Sequence, residues 1–240
     1  MSKGINIFLL IGQSNMAGRG RVKDVPKLEH PQVFMFREGR WIIAAEPLHT
    51  DKPDIAGIGL GMSFAVELAN VAGMAPIGLI PCAVGGTPLS RWMPGADLYE
   101  NAVATARSAL ATGHLRGVLW HQGEGDSIRR EDAESYGERF QSMVQNLRAD
   151  LSAESVPVIA GELGSFLRHY ERCRFFELVN AQLRQLADSL PGYGCVSAEG
   201  MKDNGDALHF DAASLREFGC RYAKRFLEMT EFDTLSPKEK

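Results

Sequence analysis

The stretch "FLLIGQSNMAGRG", residues 8–20, decides the reading of this chain. An apolar run stops at a glycine, and glutamine, serine and asparagine follow at once. A continuous run this short, without alternation, is the pattern of a strand buried on both faces of a parallel sheet. Its polar end therefore falls where the chain leaves the sheet. The full run "INIFLLI" (5–11) holds only seven residues and carries Asn6, and no A-x-A cleavage site follows it. It reads as a strand rather than an export signal, and a cytoplasmic location is expected.

Four further runs match it: "IGLIP" (77–81), "GVLWH" (117–121), "PVIAG" (157–161) and "GCVSA" (194–198). Helical spacing lies between them. Tyr136, Phe140, Met143, Val144, Leu147 and Leu151 recur at threes and fours within 131–151, and Leu178, Val179, Leu183, Leu186 and Leu190 do so within 175–190. Asp211 is a good N-cap for a last helix with Leu215, Phe218, Tyr222, Phe226 and Met229 on one face. The tail "SPKEK" is expected to fray. Strands alternating with helices predict a three-layer α/β/α, flavodoxin-like domain over 1–240 around a five-stranded parallel sheet. Residues 20–57 fit less well. There "QVFMF" and "RWIIAA", joined through "REG", read as a hairpin-like insertion.

Composition narrows the function. The 240 residues are 45% hydrophobic and 23% charged, with net charge −4, and no basic stripe suits a phosphate backbone, so no nucleic-acid partner is expected. No run reaches the roughly 20 apolar residues of a membrane span. The four cysteines, Cys82, Cys173, Cys195 and Cys220, form no CxxC pair and read as reduced thiols. "GIGLGMS" (57–63) follows "HTDKPDIA", which is no strand, so it is not a dinucleotide fingerprint.

Ligands of an open parallel sheet bind beyond the carboxyl ends of its strands. Five unlinked segments turn polar there: Ser14 in "GQSNMAG", Gly85 and Gly86 in "CAVGGTPLSRW", Gln122, Glu124 and Asp126 in "QGEGDS", Glu162 in "ELGS", and Asp206 and His209 in "DALH". Five features have bland alternatives: Ser14 as a helix cap, His209 as a surface or packed histidine, the DxxH spacing as a weak pattern alone, the glycines as a tight turn, and "HQGEGD" as a solvated loop. Together the bland readings require five coincidences. The chemical reading takes Ser14 as nucleophile, His209 as base and Asp206, three residues before it, as the group orienting the imidazole. The Ser14 N–H, an N–H of Gly85–Gly86 and the Gln122 amide are candidate oxyanion donors. Gln13 and Asn15, flanking Ser14, and Arg91 and Trp92, past the glycine turn, are candidates for substrate contact. Arg91 and Trp92 read equally well as packing residues.

These blocks resemble the SGNH/GDSL hydrolase superfamily, and within it the sialate O-acetylesterase-like and carbohydrate esterase family 6 (acetylxylan esterase) branch. "GQSNMAGRG" is similar to its nucleophile block, "IPCAVGGTPLSRW" to its second, "WHQGEGD" to its third and "DALH" to its last, in family order from residue 5 to about 215. The resemblance implies a serine esterase removing O-acetyl groups from a carbohydrate such as a xylo-oligosaccharide or sialic acid. Ser14, His209 and Asp206 are then the triad, and Ser14, Gly85–Gly86 (Gly86 favoured) and Gln122 the oxyanion donors. Glu124 is a rival orienting acid, or fixes the Gln122 amide. No metal or cofactor is expected. A short-chain esterase or thioesterase, and a non-catalytic small-molecule-binding domain, are the alternatives.

Overall fold

The structure, a computed structural model, describes residues 4–230; the tail "SPKEK" lies outside the described residues. All five expected strands are present: β1 (Ile5–Gly12), β4 (Ile77–Pro81), β5 (Gly113–His121), β6 (Val158–Gly161) and β7 (Tyr193–Val196). The sheet has seven strands, not five. β2 (Val33–Arg37) and β3 (Arg40–Ile43) form the expected hairpin, but it is not an appendage, because β2 pairs in parallel with β4. The order is β3-β2-β4-β1-β5-β6-β7, with only β3 antiparallel. The pairing has a simple cause. β3 pairs with only one edge of β2, and pairing with β4 satisfies the backbone groups on the other edge, beside the buried Val33 and Met35.

Seven α-helices flank the sheet among the described residues: α1 (Ser14–Ala17), α2 (Gly61–Ala69), α3 (Asp97–Leu110), α4 (Arg130–Glu134), α5 (Tyr136–Asp150), α6 (Phe176–Ser189) and α7 (Ala212–Thr230). The helical stretch expected over 131–151 is two helices, α4 and α5, separated at Ser135. At the start of α7, Asp211 Oδ1 accepts the Ser214 N–H at 2.7 Å, the bond an N-cap aspartate provides.

Adjacent residues at the end of β5 show the two covered faces. Trp120 packs on Phe140 of α5 and edge-on to Trp92, whereas His121 packs edge-on to Phe218 of α7. Phe8 of β1, on the α7 side, meets Phe64 of α2 and Phe226 of α7 at centroid distances of 4.9 and 5.0 Å. So α2 and α7 cover one face, and α3, α5 and α6 the other, where Tyr99 of α3 donates to Asp150 of α5 and Tyr193 donates to Leu183 O of α6.

Trp92 belongs to that second layer. It is 1% exposed, and its Nε1–H donates to Thr87 Oγ1 at 3.1 Å. Of its two readings, substrate contact is therefore corrected and packing holds: the ring is a core residue bonded to the residue after the glycine turn. Arg91 is exposed and committed to an ion pair with Asp97, the first residue of α3.

Gly12 marks where β1 must end. Its φ is 132°, and a Cβ there would lie 2.2 Å from His121 O. Gly12→Ala combines an unfavourable φ with backbone overlap and is expected to lower unfolding free energy by at least about 2 kcal/mol. Trp92→Ala should cost roughly 3–5 kcal/mol, while Arg91→Ala stays within about 0.5 kcal/mol. Urea unfolding of the three variants measures all of these.

Candidate active site

The paired ends of β1 and β5 build the first part of the site. The Gln13 N–H donates to His121 O at 2.9 Å, carrying the ladder one residue past the strand. The chain then turns into α1, whose first carbonyl, Ser14 O, accepts the Gly18 N–H at 2.8 Å. Ser14 is 6% exposed, so its hydroxyl opens onto a narrow hollow.

The loop before α7 supplies the facing groups. Asp206 Oδ1 accepts the N–H groups of Leu208 and His209, both at 2.8 Å, and this Asx-type turn curls "DALH" back on itself. Ala207 takes a positive φ of 56° within it, and Asp203 Oδ2 accepts the Gly205 and Ala207 N–H groups. The remaining oxygen, Asp206 Oδ2, lies 2.6 Å from His209 Nδ1, and His209 Nε2 lies 3.0 Å from Ser14 Oγ. The network assigns the proton to Nδ1, which leaves Nε2 free to accept from Ser14. Burial opposes ionisation of Asp206, but hydrogen bonds from the His209 backbone and imidazole and from Leu208 N–H outweigh it and hold its pKa below the usual carboxylate value. With its side-chain amide nitrogen turned toward the carboxylate, Asn204 donates to both Asp206 oxygens at 3.1 and 3.2 Å.

Glu124 occupies a different environment. It is 3% exposed, and Oε1 accepts Asn15 Nδ2–H at 2.5 Å and lies 3.9 Å from His121 Nε2. Burial pushes its pKa up to about 7, the Asn15 bond notwithstanding. The carboxylate bonded to His209 is Asp206, and Glu124 faces Asn15 instead.

The glycine turn meets Ser14 directly: a Cβ on Gly85 would lie 3.4 Å from Ser14 Cβ and 2.5 Å from Arg19 Nη2. The Gly85 N–H is already committed, donating to Asp51 Oδ2 at 2.7 Å, and Arg19 Nη2 donates to the same oxygen at 2.6 Å. Arg19 and Asp51 form a buried ion pair. Although burial opposes the Asp51 charge, Arg19 and the Gly85 N–H hold its pKa below the ordinary value. Gly86 takes φ 78°, and among the described residues its N–H, like that of Ser14, has no intramolecular acceptor. So the turn offers Gly86 and withholds Gly85.

Gln122 departs from expectation. It is fully buried, and its Nε2 donates to Thr87 O at 3.0 Å and to Asp126 Oδ2 at 2.7 Å. An amide nitrogen has two hydrogens. Both are used, so in this arrangement Gln122 binds the second loop to the third instead of presenting a donor to the hollow. Asp126 extends the tie by accepting Leu89 N–H and Arg139 Nη2. Asn15 also departs from its expected substrate contact: it is 1% exposed, with its amide bonded to Glu124, Leu208 O and Phe210 N–H. Gln13 Oε1 accepts the Gly125 N–H at 3.2 Å, and its Nε2 carries no hydrogen bond among the described residues. Glu162 is tied away from the hollow to Arg184 and Ala198 N–H.

Beside His209 and Asp206 opens a cleft of about 390 Å³, walled by Arg19, Arg21, Val22, Ile55 and Asn204. Sequence reasoning missed Arg19, Asp51 and Asn204. Arg19 stood in the quoted stretch without a partner to suggest its role. Asp51 lies in the segment read as an insertion, and Asn204 carries no spacing signal. Among the described residues no group of three or more His, Cys, Asp or Glu side chains is arranged to hold a metal ion, and no helix is long and apolar enough to cross a membrane.

Residues 4–228 match the family model described as "Carbohydrate esterase, sialic acid-specific acetylesterase". The chain is 36% identical over 241 residues to the probable carbohydrate esterase At4g34215 of Arabidopsis thaliana, covering 92% of this chain and 90% of that one. The X-ray structure of that Arabidopsis protein superposes with a TM-score of 0.84 at 33% identity, covering 94% and 98% of the two chains. The crystal structure of NanS shares the fold, with a TM-score of 0.78 at 18% identity and coverage of 96% and 99%. The chain belongs to the sialic acid-specific acetylesterase family of carbohydrate esterases and is a carboxylic ester hydrolase.

Proposed function

We propose that this protein removes O-acetyl groups from carbohydrates through an acetyl-serine intermediate. The observation that carries the reading is the chain of contacts from Ser14 Oγ to His209 Nε2 at 3.0 Å and from His209 Nδ1 to Asp206 at 2.6 Å, drawn from loops 195 residues apart. Ser14 Oγ attacks the ester carbonyl while His209 Nε2 takes its proton. Asp206 holds the tautomer and stabilises the imidazolium that forms. The developing oxyanion is held by the N–H groups of Ser14 and Gly86, which have no competing acceptor within the described chain. His209 then protonates the departing sugar oxygen, and water, deprotonated by the same nitrogen, releases acetate from Ser14.

The family description names sialic acid, and a structural relative from Xanthomonas citri is described as a carbohydrate acetylesterase. Acetylated sialic acid and, from the acetylxylan esterase resemblance of the sequence blocks, acetylated xylo-oligosaccharides are the substrates proposed here. The cleft beside His209 suits a sugar leaving group, because Arg21 supplies donors and Val22 and Ile55, 52% and 55% exposed, supply apolar surface.

Ser14→Ala is expected to abolish both acetate release and labelling by a fluorophosphonate; an alanine variant with wild-type activity overturns the nucleophile. Asp206→Asn leaves the geometry but not the charge, and by analogy with other triads should lower kcat about 10⁴-fold. Acetate release from a panel of acetylated mono- and oligosaccharides identifies the sugar.

A further inference from the structure

Asn15 follows the proposed nucleophile, yet its side chain turns away from the hollow and toward the base. Its Oδ1 accepts the Phe210 N–H at 3.1 Å, and its Nδ2 donates to Leu208 O at 3.3 Å. These are the two residues flanking His209. The second hydrogen of Nδ2 goes to Glu124 Oε1 at 2.5 Å, from the third loop. A single buried side chain thus meets the nucleophile block, both sides of the base and the loop after β5.

We propose that Asn15 is a positioning residue that sets the Ser14–His209 distance, with Glu124 anchoring its amide from behind. The assignment rests on the esterase reading above. The residue type suits the task, since an amide offers an acceptor and two donors on a short stem, and all three are used. Aspartate would lose both donors and set a carboxylate against Glu124, and alanine would lose every bond.

The His209 loop does not need Asn15 to keep its own shape. His209 O accepts the Asn204 N–H at 2.8 Å, the Asp211 N–H donates to Lys202 O at 2.9 Å, and the Lys202 N–H donates to Ser214 Oγ at 2.8 Å. The Phe210 ring is fully buried against Phe166, His121 and Phe218. What Asn15 adds is attachment: apart from the Ser14–His209 contact, it provides the hydrogen bonds from α1 to residues 208 and 210. Loss of that attachment lets two well-formed loops drift relative to each other. A misplacement of about 1 Å between reacting groups can cost about 10² in rate.

The test measures kcat and KM for p-nitrophenyl acetate and the rate of fluorophosphonate labelling, using the full chain with folding checked by circular dichroism. Asn15→Ala is expected to lower kcat about 10²-fold and slow labelling in parallel, with KM little changed. Glu124→Ala should lose part of the same rate, and Glu124→Gln should retain more than Glu124→Ala, because its Oε1 still accepts from Asn15. The double variant Asn15→Ala/Glu124→Ala should be no slower than Asn15→Ala alone, the non-additivity of two groups acting through one contact. Wild-type kcat in folded Asn15→Ala overturns the proposal, as does a raised KM with kcat unchanged, which would make Asn15 a substrate contact. If Asn15→Ala does not fold, Asn15→Ser, too short to span residues 208 and 210, is judged by the same criteria. A wild-type protein that neither hydrolyses the ester nor takes the label overturns the esterase reading itself, whereas an active wild type beside an equally active Asn15→Ala overturns only the positioning role.

Discussion

The hydrogen bond from Gln13 N–H to His121 O is where the site begins. It ends the two central strands at the same level, so the loops that follow them, one with Ser14 and one with Gln122 and Glu124, leave the sheet side by side. Gly12 makes this possible because a side chain there would occupy the space of the His121 carbonyl. The abrupt change from apolar to polar sequence at Gly12–Gln13 is thus the mark of a plane. Below it, Trp120 and His121 fill the core layers; above it, the same backbones carry groups able to do chemistry.

Above that plane, the loops are fastened to one another by buried polar bonds rather than by apolar packing. Asp126 gathers donors from Gln122, Leu89 and Arg139. Asp51 gathers Arg19 and the Gly85 N–H. Such bonds are directional and are costly to leave half-made, so they fix the loops more sharply than contacts between methyl groups would. They also explain a division of labour within the glycine turn. A carboxylate that holds the Gly85 N–H cannot share it with a substrate, but it pins the turn so that the next N–H, at Gly86, stays open.

The parts of this architecture legible in the sequence are those with a local signature. The five buried strands show as apolar runs, α7 shows its aspartate cap, and "DALH" shows a spacing that one turn can close. The sheet edge was less legible. "QVFMF" looks the same whether its hairpin stands apart or adds to β4, since only tertiary contact covers Val33 and Met35. Gln122, Trp92 and Asn15 were readable as residues near the site but not as to which way they face. A buried amide between two carbonyl-rich loops and an amide donating to an oxyanion have the same sequence; the difference is Asp126, four residues on, claiming one hydrogen, and Thr87, 35 residues back, claiming the other. Asp51 was hidden for a related reason, because its partners Arg19 and Gly85 lie more than 30 residues away on either side.

The two carboxylates considered for orienting the imidazole differ in environment: one contacts His209, and the other contacts Asn15. Asp206 is partly open to solvent and receives two backbone N–H bonds and the imidazole, so its charge is favoured and available to a cation forming on His209. Glu124 is enclosed, with one oxygen on an amide and the other without a hydrogen-bond partner among the described residues, and burial raises its pKa to about 7. An unshielded charge in that enclosure would be costly, whereas a hydrogen-bond acceptor for Asn15 is not. In the proposed cycle, orienting a base that becomes charged calls for a permanent anion, and holding an amide in place calls only for an oxygen in the right position. The fold supplies one of each, from the loop before α7 and the loop after β5, in two distinct environments.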